Sequence, residues 1–384
     1  MSQLRLLISY DYFTPAYKAG GPIRSIDNLV QLLGNEISIF IITSNQDHDG
    51  TVLDVPSNSW VQYTDNCSVI YLDSSSRNYK SIKMVLNEIH IDLIYINGIF
   101  SLFSTINLLR FSKKEKIKVL IASRGMLQQG ALAIKSVKKK LFLFFLNRFF
   151  IKNNPLVSWH ATDEQESLDI HENFGNNQVV SIIGNVPLFT NDKSSFLDYS
   201  ESVRFITISL IAPKKNHIWF IESLKRISFS DKSIIYDIYG PANKEYLDLI
   251  LLAAKDLPDN VSVNIFPALS PNQVQSTLKR YHYFVLPTFG ENFGHAIFES
   301  FNSSRPVLIS DKTPWRNLVD KNAGWDLPLN HKVWDETLTE ILEMESKQYD
   351  LLCKGARTIA IHYIESKNLK VQYLKMFNTV NNSC

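Results

Sequence analysis

The stretch that decides the fold is Tyr283-Phe-Val-Leu-Pro-Thr-Phe-Gly-Glu-Asn-Phe-Gly-His-Ala-Ile-Phe-Glu299. Its apolar start predicts a buried strand, the two glycines predict a tight turn, and a helix is expected over residues 294–303. A helix N-terminus offers backbone N–H groups to phosphate, and carboxylates accept hydrogen bonds from sugar hydroxyls. One glutamate alone would more often lie on a solvated face. The combination of Glu291, Glu299 and the two glycines instead indicates a site for a nucleotide sugar.

Short apolar runs alternate with amphipathic segments along the whole chain of 384 residues. Such runs, separated by helical patterns such as 21–33 and 82–89, predict βαβ units and mostly parallel sheets. The predicted strands cover residues 4–10, 37–42, 69–72, 93–96, 119–122, 157–159 and 179–182 in the first half, and 205–211, 234–239, 261–266, 283–286 and 307–309 in the second half.

This repetition predicts an α/β fold with two doubly wound, Rossmann-like domains. Residues 1–190 form the predicted first domain and residues 204–360 the second. The polar segment 191–203 has no hydrophobic period and is the predicted linker. A helical tail follows, which we assign to residues 361–384. Ligands of such sheets bind beyond the carboxyl ends of the strands, so we expect an active site in a cleft between the domains.

The net charge of +2 hides an uneven distribution of charge. Residues 110–152 contain twelve Lys and Arg against the single acid Glu115, a balance of +11 that leaves −9 for the rest of the chain. Such a block suits an anionic membrane surface or a lipid diphosphate. No nucleic-acid-binding motif accompanies the charge, so we predict no nucleic acid partner. The three cysteines match no disulfide or metal spacing, and the first residues indicate a buried strand rather than a signal peptide. The predicted location is the cytoplasm.

The spacing Glu291-x7-Glu299, followed by Arg305-Pro-Val-Leu-Ile-Ser-Asp311, resembles the retaining glycosyltransferases of family 4, which have the GT-B fold. Nearly the whole chain takes part in the resemblance. Its first half resembles members that build bacterial surface polysaccharides. The other motifs that carry it are Tyr12-Phe-Thr-Pro15, Gly20-Gly-Pro-Ile-Arg24, Ser123-Arg-Gly-Met-Leu127, Trp159-His-Ala-Thr162, Ala212-Pro-Lys-Lys-Asn-His217, Thr313-Pro-Trp-Arg-Asn-Leu318 and Ala323-Gly-Trp-Asp-Leu-Pro-Leu329.

The resemblance implies a donor site in the second domain. Glu299 would bind the ribose hydroxyls, and Glu291 would face the donor sugar. Lys215 would neutralise the diphosphate as it leaves, because fixed positive charge acts where negative charge develops. The backbone amides nearest the sugar and the distal phosphate would be those of Asn292, Phe293 and Gly294. His295 lies one helical turn before Glu299, so both can face the ligand.

One position departs from the pattern of the family. An arginine usually precedes the lysine by five residues, and this chain has Leu210 there. Lys18, Arg24 and Arg124 are candidate replacements in the first domain. Lys214, the neighbour of Lys215, is the less favoured candidate for the diphosphate lysine, and a solvated strand-to-helix loop is the alternative interpretation for both lysines.

The first domain contributes further candidates. Gly20 and Gly21 follow the first strand, where a loop next to a diphosphate needs positive φ or close approach. Arg124 stands where many family members have a histidine, and it either contacts an anionic ligand or forms a structural salt bridge. Asn97 and His160 follow buried strands; for His160, a core histidine and a ligand contact are both open.

Two segments suggest further partners. Asp47-His-Asp49 superficially matches a metal-binding Asp-x-Asp, but it lies in a polar loop, and we predict no metal and no cofactor beyond the nucleoside diphosphate sugar substrate. Lys135-Ser-Val-Lys-Lys-Lys-Leu-Phe-Leu-Phe-Phe-Leu-Asn-Arg-Phe-Phe-Ile151 is too short to span a bilayer. It is either a basic amphipathic helix lying on a membrane or a core helix with a solvated lysine face.

The predicted function is that of a retaining, metal-independent glycosyltransferase. It would move a hexose from a nucleoside diphosphate sugar to a hydroxyl of an oligosaccharide acceptor, lipid-linked, in bacterial surface polysaccharide biosynthesis. The resemblance also implies a C-terminal helix that packs back on the first domain. The basic block of residues 110–152 favours a peripheral position on the inner face of the cytoplasmic membrane. Two alternatives are a nucleotide-sugar epimerase of GT-B architecture and a non-catalytic nucleotide-sugar-binding subunit.

Overall fold

A computed structural model describes residues 3–133, 136–191, 197–199, 201–227 and 232–383. The chain divides into two compact units. The first comprises Met1–Val186 and Asn368–Cys384, and the second comprises Pro187–Lys367. The first boundary between the two units, between Val186 and Pro187, therefore lies just before the predicted boundary at residue 190. Much of the predicted linker 191–203 lies outside the described residues.

The first unit is built on one eight-stranded sheet. Its strands are β1 (Arg5–Ser9), β2 (Ser38–Ser44), β3 (Trp60–Thr64), β4 (Cys67–Leu72), β5 (Leu93–Asn97), β6 (Lys118–Ala122), β7 (Val157–Ala161) and β8 (Val180–Ile182). They are ordered β3-β4-β2-β1-β5-β6-β7-β8, and every pair is parallel except β3 with β4.

The helices of the first unit follow the strands as the alternating pattern predicts. They are α1 (Gly21–Leu33), α2 (Tyr79–Leu86), α3 (Asn107–Glu115), α4 (Gln129–Ala133), α5 (Ser136–Leu146) and α6 (Glu164–Phe174), with π-helical turns at Leu102–Ile106 and Asn147–Ile151. Strands β1, β5 and β6 are almost entirely buried, which explains why they appear in the sequence as unbroken apolar runs.

The second unit is built on a six-stranded sheet, all of it parallel. Its strands are β9 (Ser202–Ile208), β10 (Ser233–Tyr239), β11 (Val261–Phe266), β12 (Tyr283–Leu286), β13 (Val307–Ser310) and β14 (Gly324–Leu327), in the order β11-β10-β9-β12-β13-β14. Its helices are α7 (His217–Arg226), α8 (Lys244–Ala253), α9 (Pro271–Leu278), α10 (His295–Asn302), α11 (His331–Glu343) and α12 (Ser346–Lys367).

Both faces of the second sheet are covered. Along β12, Tyr283 and Val285 belong to one hydrophobic cluster, whereas Phe284 and Leu286 belong to another. Because successive side chains of a strand point to opposite faces, the two clusters lie on opposite sides of the sheet. The prediction of an α/β fold with parallel sheets is confirmed in both units.

The chain returns to the first unit at its C-terminus. Asn368, with φ of 37°, ends α12 and begins α13 (Leu369–Asn382). Helix α13 packs against β5 and β6, and the hydroxyl of Tyr373 donates to the carbonyl oxygen of Gly184 at 3.1 Å. The predicted return of the C-terminal helix is confirmed. It begins at the turn at Asn368 rather than at residue 361.

Three local features differ from the sequence predictions. Strand β3 is a half-exposed, antiparallel edge strand, and β14 contains Gly324 and Asp326, so neither gave a recognisable apolar run. Within the predicted linker, Tyr199 is 1% exposed, and its hydroxyl bonds the hydroxyl of Tyr283 at 2.9 Å. That residue is part of the second core. Among the described residues, no helix is long and apolar enough to cross a membrane.

Candidate active site

The strand, turn and helix predicted from the deciding stretch are present in the second unit. Strand β12 ends at Leu286, and α10 begins at His295 after Gly294, whose φ is 73°. A Cβ atom on Gly294 would lie 2.7 Å from Cδ1 of Ile297. The backbone angle therefore favours glycine, and a Cβ atom would require the side chain of Ile297 to shift.

Thr288 ties this turn to a second loop that precedes α7. Its side chain is fully buried, and its hydroxyl lies 3.1 Å from the carbonyl oxygen of Lys214, 3.1 Å from that of Gly290 and 3.3 Å from Oε1 of Glu291. The backbone N–H of Phe289 also donates to the carbonyl oxygen of Lys214, at 2.9 Å. The two loops are therefore fixed against each other by hydrogen bonds.

This arrangement brings Lys215 and Glu291 into direct contact. The Nζ atom of Lys215 donates to Oε1 of Glu291, and the two side chains are 20% and 12% exposed. Lys215 ends the short helical turn Pro213–Lys215. The backbone N–H of Glu291 donates to the carbonyl oxygen of Lys312 at 3.0 Å, which holds the glutamate from its other side. The pair is a partly buried cation and anion that a charged ligand can rearrange.

A buried histidine lies next to the lysine. His217 begins α7 and is fully buried, with its Nε2 atom 3.1 Å from the hydroxyl of Ser209. Burial, together with the charge of Lys215, lowers the pKa of His217 to about 3. The imidazole is therefore neutral near pH 7, and the ammonium of Lys215 carries the positive charge at this point.

Aromatic packing fixes the main chain just before α10. The indole N–H of Trp315 donates to the carbonyl oxygen of Phe293 at 2.6 Å, and the rings of Phe293 and Trp315 lie 5.3 Å apart. The ring of His295 lies 4.8 Å from that of Phe293. Asn292, His295 and Glu299 are half-buried on this turn and helix, and the Oε2 atom of Glu299 is buried. Their roles in donor binding remain predictions.

Leu210 follows β9 with its side chain 42% exposed. Of the candidate replacements for the usual arginine, Lys18 forms an ion pair with Asp49 at 2.6 Å in the first unit. Asp47 accepts from the backbone N–H of Tyr17 at 3.1 Å and from that of Lys18 at 3.2 Å. These two aspartates therefore order the loop that precedes α1. Within the described parts of the chain, no group of three or more His, Cys, Asp or Glu is arranged to hold a metal ion.

Arg124 lies at the end of β6 in a network of neutral partners. Its guanidinium donates to Oδ1 of Asn97 from Nε and Nη2, at 2.9 and 2.7 Å, and to Oδ1 of Asn185 from Nη1 at 2.6 Å. Nη2 also donates to the hydroxyl of Tyr95 at 2.9 Å. Arg124 is 9% exposed. Of the two interpretations, these contacts favour a structural role, with amide and phenol oxygens in place of a salt-bridge carboxylate.

The network continues to His160, which is fully buried. Its Nε2 atom lies 2.9 Å from the carbonyl oxygen of Ile183, which only accepts, so Nε2 carries the proton and Nδ1 accepts from the hydroxyl of Tyr95 at 2.6 Å. Burial and the charge of Arg124 lower the pKa of His160 to about 4. His160 is therefore the satisfied core histidine of the two interpretations that the sequence left open.

Glu166 shapes the backbone on both sides of Arg124. One carboxylate oxygen accepts from the hydroxyl of Ser123 and from the backbone N–H of Gly125, both at 2.6 Å. The other accepts from the N–H and hydroxyl of Thr162 at 2.8 and 2.7 Å. Burial alone would raise the pKa of Glu166, but these hydrogen bonds outweigh it and lower the pKa. The ionised carboxylate thus holds Arg124 at its φ of 54°.

Gly20 and Gly21 form the start of α1, and Gly20 has a φ of 83°. One turn further along this helix, the hydroxyl of Ser25 donates to Oδ1 of Asn185 at 3.1 Å, the same atom that Arg124 contacts. The sequence reasoning missed Asn185, Tyr95 and Glu166 in the first unit. No local motif marks them, because their hydrogen bonds to Ser25, Ser123, Arg124 and Gly125 join residues 29 to 160 positions apart in the chain.

The same reasoning missed Thr288, although it lies inside the deciding stretch. A threonine after a buried strand is common in a turn, and its role follows only from the carbonyl of Lys214, 74 residues earlier. The sequence signal that could have indicated this contact is that Thr288 and Lys214 each lie in a loop that follows a buried strand. The structure brings Lys215 and Glu291 together. It places Arg124 in a separate network in the first unit, and Gly20 and Gly21 at the start of α1, where Ser25 contacts that network.

The chain has the GT-B fold of two parallel-sheet α/β units. It superimposes on a sucrose-phosphate synthase from Thermosynechococcus elongatus with a TM-score of 0.78 and 14% identity, over 98% of this chain and 99% of that one. For Alr3699/HepE of Anabaena, solved in complex with UDP and glucose, the TM-score is 0.73 at 12% identity, over 98% and 100% of the two chains. For WaaG, a glycosyltransferase involved in lipopolysaccharide biosynthesis, it is 0.68 at 12% identity, with the same coverage.

Sequence comparisons point the same way. Residues 188–357 match the family model of glycosyl transferases group 1, which covers most of the second unit. The chain is 23% identical over 207 residues to the O-antigen chain mannosyltransferase RfbU of Salmonella typhimurium, over 54% of this chain and 56% of that relative. The chain thus spans about half the length of this curated relative. Together with the fold, these matches support assignment to the GT-B glycosyltransferase superfamily.

Proposed function

We propose that the protein is a retaining glycosyltransferase of family 4 that acts in bacterial surface polysaccharide biosynthesis. It transfers a hexose from a nucleoside diphosphate sugar to a hydroxyl of an oligosaccharide acceptor. The observation that carries this proposal is the contact between Lys215 and Glu291, held beside the N-terminus of α10 by the buried hydroxyl of Thr288. A lysine, a carboxylate and a helix N-terminus together match the charges of a sugar diphosphate.

The donor is bound mainly by the second unit. The diphosphate takes the ammonium of Lys215 away from Glu291, whose carboxylate then accepts hydrogen bonds from the sugar hydroxyls. The N-terminus of α10, with the amides of Asn292, Phe293 and Gly294, faces the distal phosphate and the sugar. Glu299, further along the same helix, binds the ribose hydroxyls. His295 lies between these two regions of the donor.

Transfer then proceeds on one face of the sugar. The bond between the anomeric carbon and the phosphate oxygen breaks, and the acceptor oxygen bonds to the same face of that carbon. The departing phosphate takes the proton of the acceptor hydroxyl. Lys215 and the dipole of α10 stabilise the negative charge that develops on the diphosphate, so the reaction needs no metal ion.

The acceptor is an oligosaccharide carried by a lipid at the inner face of the cytoplasmic membrane. The names of two relatives, an O-antigen chain mannosyltransferase and a lipopolysaccharide glycosyltransferase, support this class of acceptor. We assign Gly20, Gly21 and Arg124 to the ligand-facing end of the first unit. The buried guanidinium of Arg124 acts there by ordering Asn97 and Asn185.

A non-catalytic nucleotide-sugar binder is the second candidate. It is favoured by Leu210, which leaves the diphosphate without the arginine that family members have. If Lys215 alone gives too little stabilisation of the leaving group, the protein would bind a donor without transferring its sugar. A higher rate of donor hydrolysis in Leu210→Arg would instead argue that the site is a weak but functional transferase site.

The test is incubation of the full-length protein with a pool of UDP- and GDP-linked hexoses, without acceptor, followed by mass spectrometry and anomeric NMR. A transferase hydrolyses one donor selectively and slowly. Conversion of a donor into an isomer of equal mass would instead identify an epimerase. Tight binding without turnover, also across a panel of acceptors, would favour the non-catalytic binder. The absence of both binding and turnover would overturn the proposal.

A further inference from the structure

Helix α5 and the π-helical turn that follows it expose a cluster of apolar side chains. Of the twenty large hydrophobic side chains that are exposed among the described residues, five fall between residues 137 and 149. Three of them are phenylalanines: Phe144, Phe145 and Phe149 are 63%, 47% and 55% exposed. Single exposed apolar residues are common on any protein, but a cluster of this kind marks an interaction surface.

The exposed residues share one side of the helix. Val137, Leu141, Phe144 and Phe145 are spaced by four, three and one residues, which places them along one stripe. Phe149 extends this stripe, because its ring stacks on that of Phe145 at 6.0 Å with an interplanar angle of 12°.

A different set of side chains attaches this segment to the first unit. Leu143, Leu146 and Ile151 are buried in the main hydrophobic cluster of the unit. Phe142 is half-buried against the same cluster, with its ring 5.6 Å from that of Phe100. The core therefore does not use the exposed phenylalanines. This answers the question left by the sequence: the segment packs on the core and still presents an apolar stripe outward.

Exposed cations accompany this stripe. Lys138 and Lys140 lie on the two sides of the stripe on α5, and Arg148 and Lys152 follow in and after the π-helical turn. The guanidinium carbon of Arg148 lies 5.8 Å from the centre of the Phe149 ring. We call this surface the basic aromatic face; it consists of Val137, Lys138, Lys140, Leu141, Phe144, Phe145, Arg148, Phe149 and Lys152. Lys135 lies outside the described residues and is not part of it.

We propose that the basic aromatic face docks on the anionic surface of a phospholipid bilayer. The phenylalanine rings enter the interfacial region of the lipids, and the four cations lie against lipid phosphates. The charge of residues 110–152, +11 against −9 elsewhere, makes this part of the chain the one that an anionic surface attracts. A second copy of the chain fits this face poorly, because symmetric pairing would bring the cations of both copies together.

The inference rests on the proposed function only for the choice of membrane, since a lipid-linked acceptor would lie at such a surface. The binding itself requires no nucleotide sugar. A vesicle assay without donor or acceptor therefore fails or succeeds independently of the transferase activity.

The experiment is co-sedimentation of the full-length protein with vesicles of phosphatidylcholine alone, or with about one third phosphatidylglycerol. Wild type is expected to bind the anionic vesicles and to be released by high salt, because salt screens the cations. Phe144→Ser/Phe145→Ser/Phe149→Ser should lower the partition coefficient about tenfold or more. Lys138→Gln/Lys140→Gln/Arg148→Gln should lower it about fivefold for each cation removed.

The matched control changes three exposed leucines on α8, in the second unit. Leu249, Leu251 and Leu252 are 52%, 53% and 58% exposed, without neighbouring lysine pairs, and their triple serine variant should bind vesicles like wild type. Thermal unfolding establishes whether each variant is folded. If the triple phenylalanine variant is unfolded, the variant Lys138→Gln/Lys140→Gln/Arg148→Gln provides the test. Equal binding to neutral and anionic vesicles, or an equal loss in the α8 control, would overturn the proposal. So would a phenylalanine-dependent dimer, seen by light scattering, in a wild type that does not bind vesicles.

Discussion

Replacing Lys215 by alanine tests the proposed chemistry most sharply, because the neighbouring lysine provides a matched control. Lys215 contacts Glu291 through its side chain, whereas Lys214 contacts Thr288 and Phe289 through its backbone carbonyl. Lys214→Ala keeps that carbonyl and the fold of both loops. A difference between the two variants therefore reports what the Lys215 side chain contributes beyond the side chain of its neighbour.

The expected sizes of the effects follow from the environment of the pair. An ion pair that is partly exposed contributes about 1 kcal/mol, so Lys215→Ala should lower the free energy of unfolding by about that amount. The diphosphate must displace Glu291 from Lys215 before it can bind the ammonium. Breaking that ion pair costs a similar amount of free energy, which offsets part of the gain from binding. The affinity for nucleoside diphosphate should therefore fall only about three- to tenfold.

The rate should fall much more. Removing one preorganised group that stabilises developing charge typically lowers kcat about 10²- to 10³-fold. The assay is the rate of donor hydrolysis, or of transfer once an acceptor is known, together with titration of UDP and GDP. Lys214→Ala should keep both close to wild type. Unchanged turnover in Lys215→Ala, or an equal loss in Lys214→Ala, would refute the role of this lysine in leaving-group stabilisation.

Three further substitutions test the parts of the structure around this pair. Thr288→Val should lower kcat, because the buried hydroxyl positions Glu291, and an unchanged kcat in steady-state kinetics would contradict that role. Gly294→Ala should lower the unfolding midpoint, at a cost of about 1 to 3 kcal/mol for positive φ and the 2.7 Å approach to Ile297; an unchanged midpoint would contradict that geometry. His160 has a folded pKa of about 4, below its unfolded value, so its contribution is complete above about pH 6.5 and is lost as the pH falls towards 4. Calorimetry should show this acid loss, with a shallower slope in His160→Gln, and equal slopes would exclude His160 as a source.

Much of the architecture could be predicted from local patterns. Strand β12, the glycine turn and α10 follow from one stretch of seventeen residues, because a buried parallel strand and a helix N-terminus each leave a local signature. Helix α1 was predicted with its exact bounds, since Gly20 and Pro22 mark its start. Edge strand β3 was missed because half-exposed strands lack an unbroken apolar run.

The contacts within the site were harder to predict. Lys215 and Glu291 are 76 residues apart, and only the pairing of β9 with β12 in one sheet brings their loops together. Asn185 meets Arg124 across 61 residues at the end of the first sheet. Residue type alone also could not identify the partners of Arg124, because a buried guanidinium can be satisfied by neutral oxygens as well as by a carboxylate or phosphate.

The central claim is that α10 of the second unit binds the nucleotide half of a donor, and isothermal titration of the full-length protein with UDP and GDP tests it most directly. One of the two should bind wild type, and Glu299→Ala should weaken that binding about 10- to 150-fold, the range expected for hydrogen bonds to a charged group. Glu340, exposed on α11 of the same unit, is the control, and Glu340→Ala should bind like wild type. Equal affinities in wild type and Glu299→Ala, or no binding of either nucleotide to wild type, would contradict the claim.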